Sequence, residues 1–143
     1  MIQDLARQFA KEEIAPVAAE YDKTMDFPDD IFKQAWELGL VNTKVPVEYD
    51  GPGLGAIEGV VIAEELAWGC TGIMTAIEAN GLGQAPVIFA GTDAQKKEYL
   101  GRLTAERTYA CLCVCVYVCV LTLIIYLCSV EVCVRRHRAE RWQ

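Results

Sequence analysis

Three features of the chain predict an all-α fold, an antiparallel bundle or orthogonal array of about five helices. Apolar residues recur at helical spacing through most of residues 1–106. Proline, glycine and capping residues punctuate those stretches where helices start and stop. The connections are short, and nothing before Glu106 alternates like a strand. Residues 107–143 are set apart as an apolar tail that reads either as a strand or as a single helix.

The first helix carries Ile2, Leu5, Ala6, Phe9, Ala10 and Ile14 on one face, with Asp4, Arg7, Lys11, Glu12 and Glu13 on the others. Pro16 lacks an amide donor and predicts a kink, after which Val17 to Ala19 resume the helix. Phe27-Pro28-Asp29-Asp30 opens a second helix, because proline suits a first position and early acids suit the positive end of the helix dipole. Gly39 ends it, with Leu40 placed for the apolar contact of a Schellman cap. Val41 to Pro46 reads as extended, since Val45 precedes a proline.

Asp50-Gly51-Pro52-Gly53-Leu54-Gly55 is a turn-rich loop. It has neither the Gly-Lys-Ser/Thr end of a P-loop nor the strand-then-helix setting of a dinucleotide site, so a plain turn is the reading. A third helix from about Ala56 to Trp68 is mostly apolar, which predicts burial around most of its circumference. A fourth starts near Thr71 and carries Ile73, Met74, Ala76, Ile77, Gly81 and Leu82. Glu78 interrupts its apolar character, either as a residue at the rim or as a carboxyl at the wall of an apolar cavity. Pro86 begins a short turn closed by Gly91. Thr92-Asp93-Ala94-Gln95 is a capping box, opening a fifth helix that ends at Gly101.

The chain has 143 residues, 53% of them apolar, so it can bury a core. Its net charge of −7 argues against a nucleic-acid surface. That average hides two pieces, domain 1–106 at net −10 and segment 107–143 at net +3. Cys70 is the one cysteine of the first piece, which reads as reduced and intracellular. The start lacks a signal peptide's apolar run and the Arg-rich, acid-poor character of a mitochondrial transit peptide. The single histidine, His137, lies in the tail, so the first piece offers no Ser–His–Asp relay and no histidine-rich metal site. Glu64 and Glu65 are adjacent and point to different helix faces, which rules them out as a paired acid and base. Spacing alone assembles no catalytic site.

Four stretches carry a family likeness: LARQFAKEEIAPVAAEYD from Leu5, AWELGLVN from Ala35, PVEYDGPGLG from Pro46, and Glu64 to Leu103 with its Leu-Gly-x-x-Pro, Gly-x-x-x-Gln-Lys and Tyr-Leu pattern. Together they resemble the N-terminal helical domain of the acyl-CoA dehydrogenases, and Thr75 to Glu78 looks most like the medium-chain member. The resemblance implies a flavoenzyme of fatty-acid oxidation. A glutamate removes the α-proton of an acyl-CoA, the β-hydride passes to FAD, and the product is a trans-2-enoyl-CoA. It further implies electron-transferring flavoprotein as partner, a homotetramer, and the mitochondrial matrix; without an import peptide, the cytoplasm is the other option. By position, Thr75, Glu78 and Leu82 match residues near the closed end of the acyl pocket. Met74 stands where the medium-chain enzyme has glutamine, and Asp50 and Pro52 depart from the family's Gly and Leu.

The resemblance stops near Glu106. The family continues with a strand and a Gly-rich turn that holds the flavin, whereas the tail has no Gly or Pro. The expectation is a truncated member that lacks the flavin-binding and catalytic segments, is clipped at its first helix, supplies one wall of the acyl pocket and is inactive alone. No residue is assigned as catalytic base, flavin ligand or metal ligand.

Thr108 to Val130 is 23 residues without a charge. As a helix it would be roughly 35 Å long, enough for a membrane anchor. Against that, Val114 to Val120 alternates like a strand, and the basic end at Arg135 to Arg138 would have to cross the bilayer. A Cys-Val repeat is also what a TG dinucleotide repeat encodes, so read-through into non-coding DNA is the favoured origin. The Cys111-x-Cys113-x-Cys115 spacing is not that of a structural zinc site. The rival function is a non-catalytic helical interaction module, tail-anchored through 108–130.

Overall fold

The computed structural model describes residues 1–114 and 130–136. The predicted periodicity becomes helix α1 (Ile2–Phe9), a π-helical turn (Ala10–Ile14), α2 (Ala18–Thr24), α3 (Asp29–Glu37), α4 (Ala56–Gly69), α5 (Thr71–Glu78), α6 (Asn80–Ala90) and α7 (Asp93–Ala105). The kink expected at Pro16 is a widened turn, in which Ala15 N–H donates to Ala10 O at 2.9 Å. Pro28 is the cap of α3 rather than its first residue. Gly39 takes a φ of +72°, and the paired bonds from Gly39 to Trp36 O and from Leu40 to Ala35 O complete the Schellman cap.

The core forms where α1, α3, α4 and α5 meet. Ala6, Phe9, Ala10 and Ile14 pack against Ile31, Phe32 and Ala35, against Leu40 and Val41, and against Ile62, Leu66, Ile73 and Ile77. Gly69 lets α4 end against the π turn. A Cβ there would lie 3.0 Å from Ala10 O and 3.1 Å from an Ile14 methyl. A second, smaller cluster joins Val45, Val87 and Leu100.

One ion pair joins a buried carboxylate to an exposed guanidinium on the helical body. The Glu65 carboxylate accepts from Gln3 Nε2 at 2.8 Å and pairs with Arg7 through its other oxygen, and Arg7 lies 4.7 Å from the Trp68 ring centre. Arg7 foremost, then Gln3, holds this carboxyl below the usual carboxylate range. Its neighbour Glu64 is exposed, so the two acids do face different ways.

Several elements depart from expectation. Helix α4 buries only Gly59, Ile62, Glu65 and Leu66, while Ile57, Val60 and Trp68 stand exposed on the far side. Val41 to Val45 is a turn, not an extended segment, because Asn42 adopts a φ of +59° and its carbonyl accepts from Val45 N–H at 3.1 Å. The fourth helix divides at Ala79 and runs on as α6, with Pro86 inside it. Pro86 has no N–H, so the Leu82 carbonyl lacks the amide four residues on. Val87, buried against Leu100 and Val45, holds the helix together past that gap. Helix α7 likewise continues through Gly101 to Ala105, because Leu103 is buried beyond it. The capping box at its start is formed, with Thr92 N–H donating to Gln95 Oε1 at 2.9 Å.

After α7 the chain enters strand β1 (Thr108–Val114), which pairs antiparallel with β2 (Val130–Arg136) from Thr108 opposite Arg136 to Val114 opposite Val130. The strand reading therefore holds for 108–114, and a single helix over 108–130 does not. Among the described residues no helix is long and apolar enough to cross a membrane. The rest of the Cys-Val alternation, the bulk of the proposed anchor, and the basic end from His137 lie outside the described residues.

Candidate functional site

The three residues singled out for the acyl pocket fall on one stripe of the nearly continuous α5–α6 rod. Their spacings of three and four residues put them on one side. Thr75 is exposed, and its hydroxyl donates back to Thr71 O at 2.8 Å. Leu82 is 73% exposed, and Phe89, one heptad on, is 86% exposed. Glu78 is half-buried between them, and burial raises its pKa against the opposing pull of Lys44. Beside it Asn42, Thr43, Lys44, Ile77, Gly81 and Gln84 enclose a pocket of about 10 Å³, the room of about one water. Met74 is half-buried and packs on the core, so it does not share the stripe.

The opposite face of the rod is a polar seam that sequence reasoning missed. Asn42 Nδ2 donates to Leu103 O at 2.9 Å, while its Oδ1 accepts from Asn80 Nδ2 at 3.1 Å and from Gln84 Nε2. Asn80 then grips β1 by its backbone: Nδ2 donates to Thr108 O at 3.1 Å, and Oδ1 accepts from Ala110 N–H at 3.0 Å. Its side chain thus bonds the strand as a neighbouring strand would. Gly83 makes the close approach possible, since a Cβ there would lie 2.7 Å from that of Ala110. Asn42, Asn80, Gln84 and Thr108 are all buried. The available signal was two amides four residues apart on an otherwise apolar helix.

A further anchor flanks the seam. Asp29, at the start of α3, accepts from Tyr109 Oη at 2.8 Å and from Arg107 Nη1 at 3.1 Å. The Tyr109 ring packs on Phe32 at 4.6 Å and edge-on to Phe27 at 5.2 Å. Burial, and behind it the Asp29 carboxylate, pushes the Tyr109 hydroxyl up.

Neither the glycine-rich loop nor the open groove among the described residues fits the pyrophosphate of a flavin dinucleotide. The Asp50–Gly55 loop spends its amides internally: Gly51 bonds Pro46 O, Gly53 bonds Val45 O and Leu54 bonds Thr43 O. The larger open groove, about 340 Å³ between α1 and α3, is rimmed by Glu12, Glu13 and Glu37, whose charge opposes a pyrophosphate. Among the described residues no three His, Cys, Asp or Glu side chains converge as metal ligands.

The sequence pattern of the family described as Acyl-CoA dehydrogenase, N-terminal domain, matches residues 1–107. The probable medium-chain specific acyl-CoA dehydrogenase 2, mitochondrial, of Caenorhabditis briggsae is 45% identical over 113 residues, which is 79% of this chain and 28% of that protein. The 3-(aryl)acrylate reductase of Clostridium sporogenes is 41% identical over 113 residues, 77% of this chain and 30% of that protein. Among solved structures, a chain in that of the electron transferring flavoprotein of Acidaminococcus fermentans superposes with a TM-score of 0.69 at 30% identity, covering 76% of this chain and 29% of that one. Butyryl-CoA dehydrogenase from Megasphaera elsdenii shares the fold, with a TM-score of 0.67 at 24% identity over 76% of this chain and 30% of that one. The chain thus spans under a third of the length of the relatives it matches. With its helices, their order and its sequence in agreement, the chain belongs to the acyl-CoA dehydrogenase family, whose N-terminal domain it carries.

Proposed function

We propose that this chain supplies one wall of the acyl pocket of a flavin-dependent enzyme that dehydrogenates medium-chain acyl-CoA between its α and β carbons, giving a trans-2-enoyl-CoA. The observation that carries the reading is one stripe of α5–α6, where Thr75 and Leu82 stand exposed on either side of a half-buried Glu78 while the reverse face is clamped to the rest of the molecule. An acyl tail gains about 0.8 kcal/mol for each methylene it buries, so its slot must be apolar until it ends. Leu82 suits the side of such a slot and Glu78 its end, because a further methylene would meet a carboxyl. Electron-transferring flavoprotein as electron acceptor, a tetrameric assembly and the mitochondrial matrix go with this reading. None of the described residues is assigned to the flavin or to proton abstraction.

We further propose that the 143-residue polypeptide does not turn over acyl-CoA by itself; its match to less than a third of its relatives supports this. Two experiments test the reading. In the Caenorhabditis briggsae relative, the residue aligned with Glu78 is changed to alanine and kcat/KM is measured across acyl chain lengths. The expected result is a shift of the preference toward longer chains, and an unchanged profile refutes the role of Glu78. The purified chain mixed with FAD and octanoyl-CoA is expected to reduce no electron acceptor; retention of flavin with turnover refutes the inactivity.

A further inference from the structure

The β1–β2 ladder places Cys111 directly opposite Cys133, whereas Cys113 stands opposite Glu131. Residues directly opposite in an antiparallel pair have Cα atoms about 4.5 or 5.5 Å apart, depending on whether the pair is hydrogen-bonded. Both separations fall within the roughly 4.4–6.8 Å that a disulfide spans. Among the described residues this is the one ladder position where two cysteines are register partners. We infer that Cys111 and Cys133 form a cross-strand disulfide when the chain meets an oxidised low-molecular-weight thiol of the glutathione class.

The exchange balances in two steps. One cysteine thiolate attacks glutathione disulfide, giving a protein–glutathione mixed disulfide and releasing one glutathione. The second cysteine thiolate attacks the protein sulfur of that mixed disulfide and releases the other. Two protein S–H bonds are lost, one S–S bond forms, and one glutathione disulfide becomes two glutathione molecules. In a reducing compartment the pair is open, and under oxidation it closes. The closed bond ties β2 to β1, and β1 is already held to α6 through Asn80 and to α3 through Tyr109. The modification therefore fastens the second strand to the helical body.

The test uses the full 143-residue chain equilibrated with graded ratios of glutathione to its disulfide, alkylated, digested without reductant and read by mass spectrometry. The expected product is one cross-linked peptide pair holding Cys111 and Cys133, lighter by two hydrogens than the reduced pair. Recovery of Cys111 joined to another cysteine, or only as its glutathione adduct, overturns the proposal. A second chain, with Cys70, Cys113, Cys115, Cys119 and Cys128 all changed to serine, is titrated folded and in urea. The folded chain is expected to close at a glutathione ratio at least about tenfold more reducing than the unfolded one. Equal midpoints overturn the in-register placement.

Discussion

Two seams hold this molecule together, and they are built from opposite materials. Where α1, α3, α4 and α5 meet, the contact is almost wholly apolar, relieved by a single carboxylate, Glu65, with its two partners. Where the α5–α6 rod meets the turn at Asn42 and strand β1, the contact is a chain of amides. The apolar seam is tolerant in direction and strict in volume, because dispersion and burial do not depend on angle while voids are costly. The amide seam is strict in direction, because each buried donor and acceptor must find its partner. One seam supplies most of the stability; the other fixes where β1 leaves the helical body.

The largest effect expected tests the first seam. Phe32 is fully buried at its centre, so Phe32→Ala is expected to cost about 3–5 kcal/mol. Urea unfolding followed by circular dichroism measures it, and a loss near 1 kcal/mol would place the stability elsewhere. Next comes Asn42→Ala, which removes the acceptor shared by Asn80 and Gln84 and leaves the Leu103 carbonyl only its longer bond, from Trp36 Nε1 at 3.5 Å. About 1–3 kcal/mol is expected for the groups left unpaired, and the φ of +59° adds to it. Asn42→Gly separates the two, since glycine relieves only the backbone part. Hydrogen exchange should show the Ala110 amide losing protection while amides of α4 keep theirs; uniform loss would mean that the seams are not separable.

Gly101→Ala probes the end of α7. A Cβ at Gly101 meets nothing within 4 Å, so the variant is expected to gain about 0.5–1 kcal/mol, read as a raised melting temperature. The smallest effect is at Glu78, whose carboxyl has a raised pKa in the folded chain. The native state therefore holds this proton more tightly than the unfolded state does. Stability from Glu78 is present at low pH and falls as pH rises through the folded pKa. Glu78→Gln is thus expected to be the more stable chain near neutral pH, with the difference closing toward the ordinary carboxylate range. Parallel stability curves for the two chains over that span would show that the carboxyl is not desolvated.

The apolar seam was legible in the sequence and the amide seam was not. Ile2, Leu5, Ala6, Phe9 and Ala10, or Ile31, Phe32 and Ala35, announce their face by spacing alone. Asn42, Asn80 and Thr108 lie far apart in the chain, so no local period brings them together. The same limit explains the misplaced ends. Gly101 and Pro86 are stop signals by local rule, but Leu103 and Val87 beyond them are buried, and that burial outweighs the roughly 1 kcal/mol that glycine costs a helix. Of the proposed wall, the family resemblance implied Thr75, Glu78 and Leu82, while the clamp behind them became visible only with the fold.

Pro86 has one more consequence. A main-chain oxygen is indifferent to which side chains surround it. With no amide at residue 86, the Leu82 carbonyl goes without the donor four residues on, whatever side chains stand at Thr75, Glu78 or Leu82. However far mutation changes the side chains around it, that gap in the ladder persists, and only exchanging the imino acid itself would restore the donor.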